Sequence, residues 1–292
     1  MKLVLDRDDL AAAAMTAVGH SEVALERLDV RPAYKASHGF VNNASADVCE
    51  LAAVTLLQAT CFGKPVILLP VTTLGRFQHQ TLVTCRGLSV DDIEGRTVGI
   101  RSWSQTTGVW VRGFLAEQYG VDLRKVKWVV YEGGHIDGYT DPPWVQRASS
   151  PASLQADFLN GRLDYGIMGN ELPVDDRIRP AIANAANAAT EWAQRNGFAP
   201  INHVLGVNVA AARDHSAEIC LMYDAMRRVT EAQSAELSID MHPVGFDALR
   251  GPINQVAAYA VEQGILPEYV EFDDLVARSC AALGVLPSRL GG

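Results

Sequence analysis

The side chains best suited to acid–base chemistry are two histidines and one carboxylate, each beside an apolar segment. His79 follows Arg76 at the mouth of an apolar stretch, His203 precedes another, and Glu50 enters a third. Imidazole exchanges protons near neutral pH, and a carboxylate among apolar residues is unusual unless it is paired or functional. We therefore take His79, His203 and Glu50 as candidate catalytic residues. The alternatives are that His79 lies in a surface loop and that Glu50 is a first-turn charge on a helix.

A polar loop between a predicted strand and a predicted helix is the best candidate for an anion site. Residues 99–109 combine a strand end, several hydroxyl side chains and a helix start. Backbone N–H groups at a helix N-terminus bind anions. Because neither common glycine-rich phosphate motif is present, a carboxylate fits this loop better than a nucleotide. The alternative is a simple N-cap by Ser104 or Thr106.

Metal, disulfide and covalent-hydrolase chemistry have little support in the spacing of the residues. His79, His203 and Glu50 are suitable ligand types, but no H-x-x-x-H or E-x-x-H pattern joins them. The 5 cysteines are scattered and none forms a C-x-x-C pair. No G-x-S-x-G motif is present. We expect no metal and no cofactor.

Alternating strand and helix patterns must position these residues. A β-α-β-α-β run between residues 97 and 168 predicts a parallel sheet. A glycine- and proline-rich segment, residues 132–151, is predicted as a long loop, and His135 within it as a lid residue. The predicted strands are residues 2–5, 25–30, 64–70, 81–85, 97–100, 126–131, 163–168 and 204–210. The predicted helices are residues 10–18, 48–59, 109–119, 153–160, a segment after Pro180 that ends near Gly197, and residues 216–236, 255–263 and 273–283.

Length and order of elements predict two α/β lobes with a ligand cleft between them. Residues 86–200 would form lobe 2, inserted into a lobe 1 made of residues 1–85 and 201–292. In such folds ligands sit at strand carboxyl ends and helix N-termini. An apolar C-terminal helix, if exposed, would support a homodimer.

The amino-acid composition limits the classes of partner and the cellular location that we expect. Lys plus Arg is 25 and Asp plus Glu is 34, so the formal net charge is −9. Nucleic-acid binding needs a clustered Lys/Arg excess, so this partner is not expected. The sequence contains no run of about 18 apolar residues, so we predict no membrane span. The charged start, residues 1–9, does not resemble a signal peptide. We expect a cytoplasmic protein.

Motifs in a fixed order resemble the 4,5-dihydroxyphthalate decarboxylase family, which is related to type 2 periplasmic binding proteins and to the NMT1/THI5-like group. The resemblance covers roughly residues 45–280. The motifs that carry it are residues 47–51, 65–70 with Phe77 and His79, 95–99, 106–113, 119–121 with Trp128, 161–164, 200–203 and 262–265.

The resemblance implies a type 2 periplasmic-binding-protein-like fold used as an enzyme on an aromatic carboxylate. The implied reaction is a cofactor-independent decarboxylation of a hydroxylated aromatic acid such as 4,5-dihydroxyphthalate, in which a ring carbon is protonated before CO2 leaves. His79 or His203 would donate this proton, and Glu50 or the other histidine would bind a ring hydroxyl. The side chains expected to bind substrate are Arg76, Arg101, Ser102, Thr106, Thr107 and His135.

Two other functions remain open at this point. A non-catalytic binding protein for an aromatic or heterocyclic acid would use the same cleft, and so would another lyase or dehydratase. The net charge of −9 adds a requirement, because a dicarboxylate needs local positive potential. We expect it from Arg76, Arg101, Arg112 and the helix start at Thr106.

Overall fold

Two β-sheets with helices packed around them make up the computed structural model, which describes residues 1–149, 153–234 and 239–292. The strands are β1 Lys2–Val4, β2 Glu26–Arg27, β3 Val48–Ala52, β4 Val66–Gly75, β5 Leu82–Thr84, β6 Thr97–Ile100, β7 Lys127–Val130, β8 Gln146–Arg147, β9 Tyr165–Ile167, β10 Arg179–Pro180 and β11 Ile201–Asn208. The helices are α1 Asp8–Val18, α2 Ser37–Asn43, α3 Ala53–Cys61, α4 Thr106–Tyr119, α5 Leu154–Leu159, α6 Ala185–Asn196, α7 Val209–Asp214, α8 Ser216–Ser234, α9 Phe246–Glu262 and α10 Phe272–Leu283.

The two sheets use strands from different parts of the chain. The first sheet has the order β2-β1-β3-β11-β4, and the second has the order β10-β5-β9-β6-β7-β8. β6 is parallel to both β7 and β9, as the β-α-β-α-β pattern predicts. β5 pairs with β9, so the chain enters the second sheet by Leu82. The lobe boundaries, residues 1–85 with 201–292 and residues 86–200, stay a prediction.

The pairing of β3 with β11 places two candidate residues side by side. The strands are antiparallel, with Leu205 opposite Glu50 and His203 opposite Ala52. Residues two apart on a strand share a face, so Glu50 and His203 are diagonal neighbours on the same face of the sheet. The side chains of Glu50 and His203 are long enough to meet across this diagonal.

Two predicted elements differ from the structure near these residues. Residues 48–59 are not one helix: β3 ends at Ala52 and α3 follows directly. The run is buried on nearly every side, and a strand and a helix buried all round have the same apolar pattern. Glu50 is therefore a strand residue rather than a first-turn helix charge. His203 lies inside β11 rather than before it.

Other differences lie at the ends of elements. Only Glu26–Arg27 of the predicted strand 25–30 is a strand. α9 begins before the predicted residue 255 and contains Pro252, a residue that usually marks a helix boundary. Of the predicted loop 132–151, residues 150 and 151 lie outside the described residues, and so do residues 235 and 236 of the predicted helix 216–236. In the described part of the chain, no helix combines the length and apolarity needed to cross a bilayer.

An aromatic cluster joins the helix after β6 to the C-terminal part of the chain. Trp110 of α4 meets Tyr259 of α9 and Trp192 of α6 edge to face, with ring centroids 5.8 and 5.6 Å away. Gly113 lets the two helices approach, because a Cβ there would lie 2.2 Å from the Tyr259 ring. Trp110 Nε1 also donates a hydrogen bond of 2.8 Å to the carbonyl of Ile201, which ties α4 to β11 of the first sheet.

Replacing Gly113 with alanine therefore tests how tightly α4 and α9 pack. Overpacking costs about 1–3 kcal/mol, which outweighs the roughly 1 kcal/mol by which alanine favours a helix over glycine. We expect Gly113→Ala to lower the thermal unfolding midpoint, measured by circular dichroism.

The matched control is Gly133→Ala, since nothing lies within 4 Å of a Cβ at that position. An unchanged midpoint for Gly113→Ala would show that the helices have room to separate.

Candidate functional site

A hydrogen-bonded carboxylate and imidazole form the centre of the site. His203 Nδ1 lies 2.6 Å from Glu50 Oε1. The other carboxylate oxygen, Oε2, accepts a hydrogen bond of 2.9 Å from the backbone N–H of Asp6. Both oxygens are thus held, and His203 Nε2 is the ring nitrogen left for a ligand.

The environment keeps Glu50 ionised. Glu50 is only 3% exposed, and burial by itself raises the pKa of a carboxyl. The hydrogen bond and charge of His203, with the Asp6 N–H, outweigh burial, and the pKa of Glu50 is lowered from its ordinary value. An ionised Glu50 accepts the Nδ1 proton of His203 and stabilises positive charge on the ring. The His203 side chain is 19% exposed, so it can reach a ligand.

His203 faces a cleft with two ends. One end lies at the N-terminus of α4 and is called the helix end. The other is called the Arg76 end. The helix end alone is lined by Ala52, Thr55, Ser102, Ser104, Thr106 and His135. The Arg76 end alone is lined by Leu74, Arg76, Ile167, Met168, Gly169, Asn170 and Glu171. Both ends share Tyr34, Arg101, Gln105, Thr107, Asn202 and His203.

The N-terminus of α4 is open to an anion. Its N-cap residue, Gln105, makes no side-chain capping bond, so the alternative of a simple N-cap by Ser104 or Thr106 is wrong. The Thr106 hydroxyl instead accepts a hydrogen bond of 3.2 Å from the N–H of Val54, in the first turn of α3. Free first-turn N–H groups and the helix dipole favour a carboxylate here.

Hydroxyl groups surround this helix start. Ser102 Oγ donates to the carbonyl of Gly133 at 3.1 Å. Thr107 Oγ1 accepts a bond of 3.0 Å from the amide of Asn202, the neighbour of His203. The amide of Gln78 in turn donates to Asn202. This chain fixes the Thr107 hydroxyl relative to β11, and so relative to the imidazole.

Two arginines give the cleft positive charge. Arg101 stacks on the Tyr34 ring, with its guanidinium carbon 4.0 Å from the ring centroid. Arg76 donates from Nη1 to Asn170 Oδ1 at 2.7 Å. Burial lowers the pKa of Arg76 from its ordinary value, and one guanidinium nitrogen, Nε, has no partner in the described structure. Both arginines line the cleft, and their role in binding a substrate stays a prediction.

His135 lies on the helix end as part of the loop after β7. Its Nδ1 is 3.2 Å from Thr55 Oγ1, and its carbonyl accepts from Asn42 at 2.8 Å. Burial, with the positive charge of Arg101, lowers the pKa of His135 to about 4. It is therefore a neutral group at pH 7 that covers the cleft from the side of α2.

His79 is not among the residues that line the cleft, although the sequence suggested it as a catalytic residue. It is fully buried, stacked on Phe114 of α4 with ring centroids 4.2 Å apart. Its Nε2 is 3.2 Å from Gln118 Oε1. Burial lowers the pKa of His79 to about 4, so at pH 7 the ring lacks the proton that a donor must give.

Arg112 is also absent from the cleft, although the sequence suggested it as a source of positive potential. It is fully buried and stacks on Trp103, 3.6 Å from the ring centroid. Its Nε donates to Gln263 at 2.7 Å and its Nη2 to the Trp103 carbonyl at 2.6 Å. Burial lowers its pKa to about 9. Arg112 is buried because the part of α4 from Thr106 to Leu115 is enclosed on all sides.

Several cleft residues were missed by sequence reasoning. Asn202 could have been found, because it is a second polar residue entering an apolar strand beside His203. Tyr34, Asn170 and Glu171 come from connecting segments with no periodic pattern, and only the fold brings them to the cleft. No group of three or more His, Cys, Asp or Glu side chains with metal-site geometry occurs among the described residues.

Comparisons with known proteins support the sequence resemblance. No protein-family model matches the chain. A 4,5-dihydroxyphthalate decarboxylase from Comamonas testosteroni is 30% identical over 194 residues, which cover 59% of this chain and 57% of that protein. A protein of the same name from Pseudomonas putida is 34% identical over 97 residues, 32% of this chain and 37% of that protein. The resemblance to 4,5-dihydroxyphthalate decarboxylases is confirmed. The chain matches little more than half the length of the first of these relatives.

Solved structures confirm the fold class. The ligand-binding component of an ABC-type import system from Staphylococcus aureus has a TM-score of 0.56 at 9% identity, covering 99% of this chain and 97% of that one. The aliphatic sulphonate binding protein SsuA from Escherichia coli has a TM-score of 0.55 at 11% identity, covering 94% and 96%. The desulfurization enzyme DSZB has a TM-score of 0.52 at 15% identity, covering 97% and 99%. The fold is that of type 2 periplasmic binding proteins.

The buried, neutral state of His79 predicts an acid sensitivity of the fold. Between pH 6.5 and 4, His79 is protonated in the unfolded chain but stays neutral in the folded chain. The free energy of unfolding therefore falls as the pH falls through this range. We expect this fall to be shallower in His79→Phe, measured by urea unfolding at a series of pH values.

His135 has a pKa shifted in the same direction, so part of the slope remains in the variant. Above pH 7 the difference in unfolding free energy between the two proteins stays constant. Parallel curves over the whole pH range would contradict the assignment.

Proposed function

We propose that this protein is a cofactor-independent carboxy-lyase that decarboxylates a hydroxylated aromatic carboxylic acid such as 4,5-dihydroxyphthalate. The observation that carries the proposal is the Glu50–His203 pair, which faces an uncapped helix N-terminus and two arginines in one cleft. The names of the two curated relatives support a decarboxylase.

The reaction needs a proton donor over a ring carbon. Protonation of the carbon that carries the leaving carboxylate removes aromaticity, and loss of CO2 restores it. His203 supplies this proton from Nε2, because Glu50 holds Nδ1 and stabilises the charged ring. General acid catalysis of this kind contributes about 10²–10⁴-fold. The rest of the acceleration must come from orientation and exclusion of water in the cleft.

Orientation comes from binding the carboxylate that the product retains. The helix end offers the first-turn N–H groups of α4, the hydroxyl of Thr107 and the guanidinium of Arg101, while the hydroxyl of Ser102 holds the Gly133 loop beside them. These groups are fixed before the ligand arrives, through Gly133, Asn202 and Tyr34. Because these binding groups are already ordered, less entropy is lost when the ring carbon is brought to His203.

Replacing His203 tests the donor role. We expect His203→Gln to lower kcat for CO2 release from 4,5-dihydroxyphthalate by about 10²–10⁴-fold, because glutamine cannot carry the proton. Dissociation constants measured by calorimetry should stay within a few-fold of the original. Glu50→Gln should also lower kcat, because it removes the negative charge that stabilises the imidazolium form of His203.

His79→Phe is the matched control, because this histidine is buried away from the cleft. It should keep the original rate at pH 7. An original rate in His203→Gln would refute the donor assignment.

A non-catalytic binding protein for an aromatic acid is the second candidate, since several structural neighbours are named as binding proteins. A thermal-shift screen of aromatic carboxylates followed by a CO2 assay separates the two. Binding of hydroxylated acids without turnover would favour the binder, and loss of water rather than CO2 would favour a dehydratase. A cytoplasmic location and a homodimer stay proposals, which cell fractionation and light scattering test.

A further inference from the structure

The proposed decarboxylation requires a base that the Glu50–His203 pair does not provide. When the ring carbon is protonated, a hydroxyl para to it must lose its proton so that the ring becomes a dienone. Glu50 lies behind His203 with both oxygens engaged, so it cannot reach a hydroxyl on the far side of the ring. Another group in the cleft must take that proton.

Glu171 is the one carboxylate among the described residues that line the cleft, and it lies at the Arg76 end. Its Oε1 accepts a hydrogen bond of 3.2 Å from the hydroxyl of Tyr34. Arg101 Nε lies 3.9 Å from the same oxygen. Oε2 accepts no hydrogen bond within the described part of the chain, so it is open to a ligand.

The charges of the cleft orient an aromatic acid in one direction. Glu171 offsets the positive charge of Arg76 at its end of the cleft, and its carboxylate accepts hydrogen bonds, which a ring hydroxyl can donate and an ionised carboxylate cannot. The helix end attracts the acidic side. His203 lines both ends, so it can contact a ligand that extends from the N-terminus of α4 toward Glu171.

His135 is the other candidate base, but it lines only the helix end. It therefore lies with the groups that attract carboxylate, not where a para hydroxyl would extend. At the Arg76 end, Arg76 and Asn170 line the cleft together with Glu171. Arg76 donates a hydrogen bond of 2.7 Å to Asn170. The guanidinium there can donate a hydrogen bond to the oxygen that becomes a carbonyl when its proton leaves.

We propose that Glu171 is the catalytic base that takes the proton of the ring hydroxyl para to the leaving carboxylate, across the cleft from His203. The inference rests on the proposed function. It defines the substrate class as aromatic acids with a hydroxyl in that position.

The steps balance in protons and electrons. Glu171 takes the hydroxyl proton while His203 gives its Nε2 proton to the ring carbon, so the oxygen becomes a carbonyl and the carbon becomes tetrahedral. The bond to the carboxylate then breaks, and its electron pair restores the aromatic ring as CO2 leaves. The oxygen regains its proton from Glu171. His203 is reprotonated from solvent, which supplies the one proton that the overall reaction consumes.

The test compares Glu171→Gln with Glu132→Gln. Glu132 also lies near Arg101, with Oε2 3.4 Å from Nη1, but it is not among the residues that line the cleft. The measurements are kcat for 4,5-dihydroxyphthalate, and the calorimetric dissociation constants of 4,5-dihydroxyphthalate and of phthalate, which lacks the hydroxyls.

We expect Glu171→Gln to lower kcat by about 10²-fold or more and to reduce the preference for 4,5-dihydroxyphthalate over phthalate. Phthalate itself should bind as well as before or more tightly, because a negative charge is removed, and this shows that the variant folds. Glu132→Gln should change each value by no more than a few-fold.

The outcomes separate the inference from the proposed function. CO2 release by the original protein with an unchanged kcat and preference in Glu171→Gln would overturn the role of Glu171 and leave the decarboxylase intact. Absence of CO2 release by the original protein would overturn the decarboxylase itself. An equal loss in Glu132→Gln would also overturn the inference, since it would trace the effect to Arg101.

Discussion

The hydrogen bond between Glu50 and His203 is the interaction on which the rest of the site depends. A carboxylate that is 3% exposed is costly unless it is paired and hydrogen-bonded. Antiparallel pairing of β3 and β11 satisfies this condition by placing His203 on the diagonal from Glu50. The Asp6 N–H occupies the other oxygen. The pair therefore has one free group, His203 Nε2, and the fold directs that group to the cleft.

The cleft provides local positive charge for an anionic ligand, although the chain as a whole is acidic. A net charge of −9 repels a carboxylate at long range, and screening in salt limits that repulsion to about 10 Å. Within the cleft, Arg76, Arg101 and the open N-terminus of α4 provide positive potential. Glu171 is the exception, because it places a hydrogen-bond acceptor beside Arg76, at the end away from the N-terminus of α4.

Sequence reasoning identified the fold class and part of the cleft but misplaced residues whose side-chain direction depends on packing. Glu50 and His203 were found because polar residues in apolar runs stand out. His79 and Arg112 looked equally promising, but they face the aromatic core, where stacking on Phe114 and Trp103 replaces solvent. Glu171 was missed because loop residues reach a site only through the tertiary fold.

A crystal structure of His203→Gln with 4,5-dihydroxyphthalate tests the account most directly, because the weakened variant retains the unreacted ligand. We predict a carboxylate at the N-terminus of α4, beside Ser102 and Thr107. The ring carbon of the leaving carboxylate should face position 203, and a hydroxyl should lie within hydrogen-bonding distance of Glu171. A ligand bound outside the cleft, or in the cleft with its hydroxyls at the α4 end, would contradict the account.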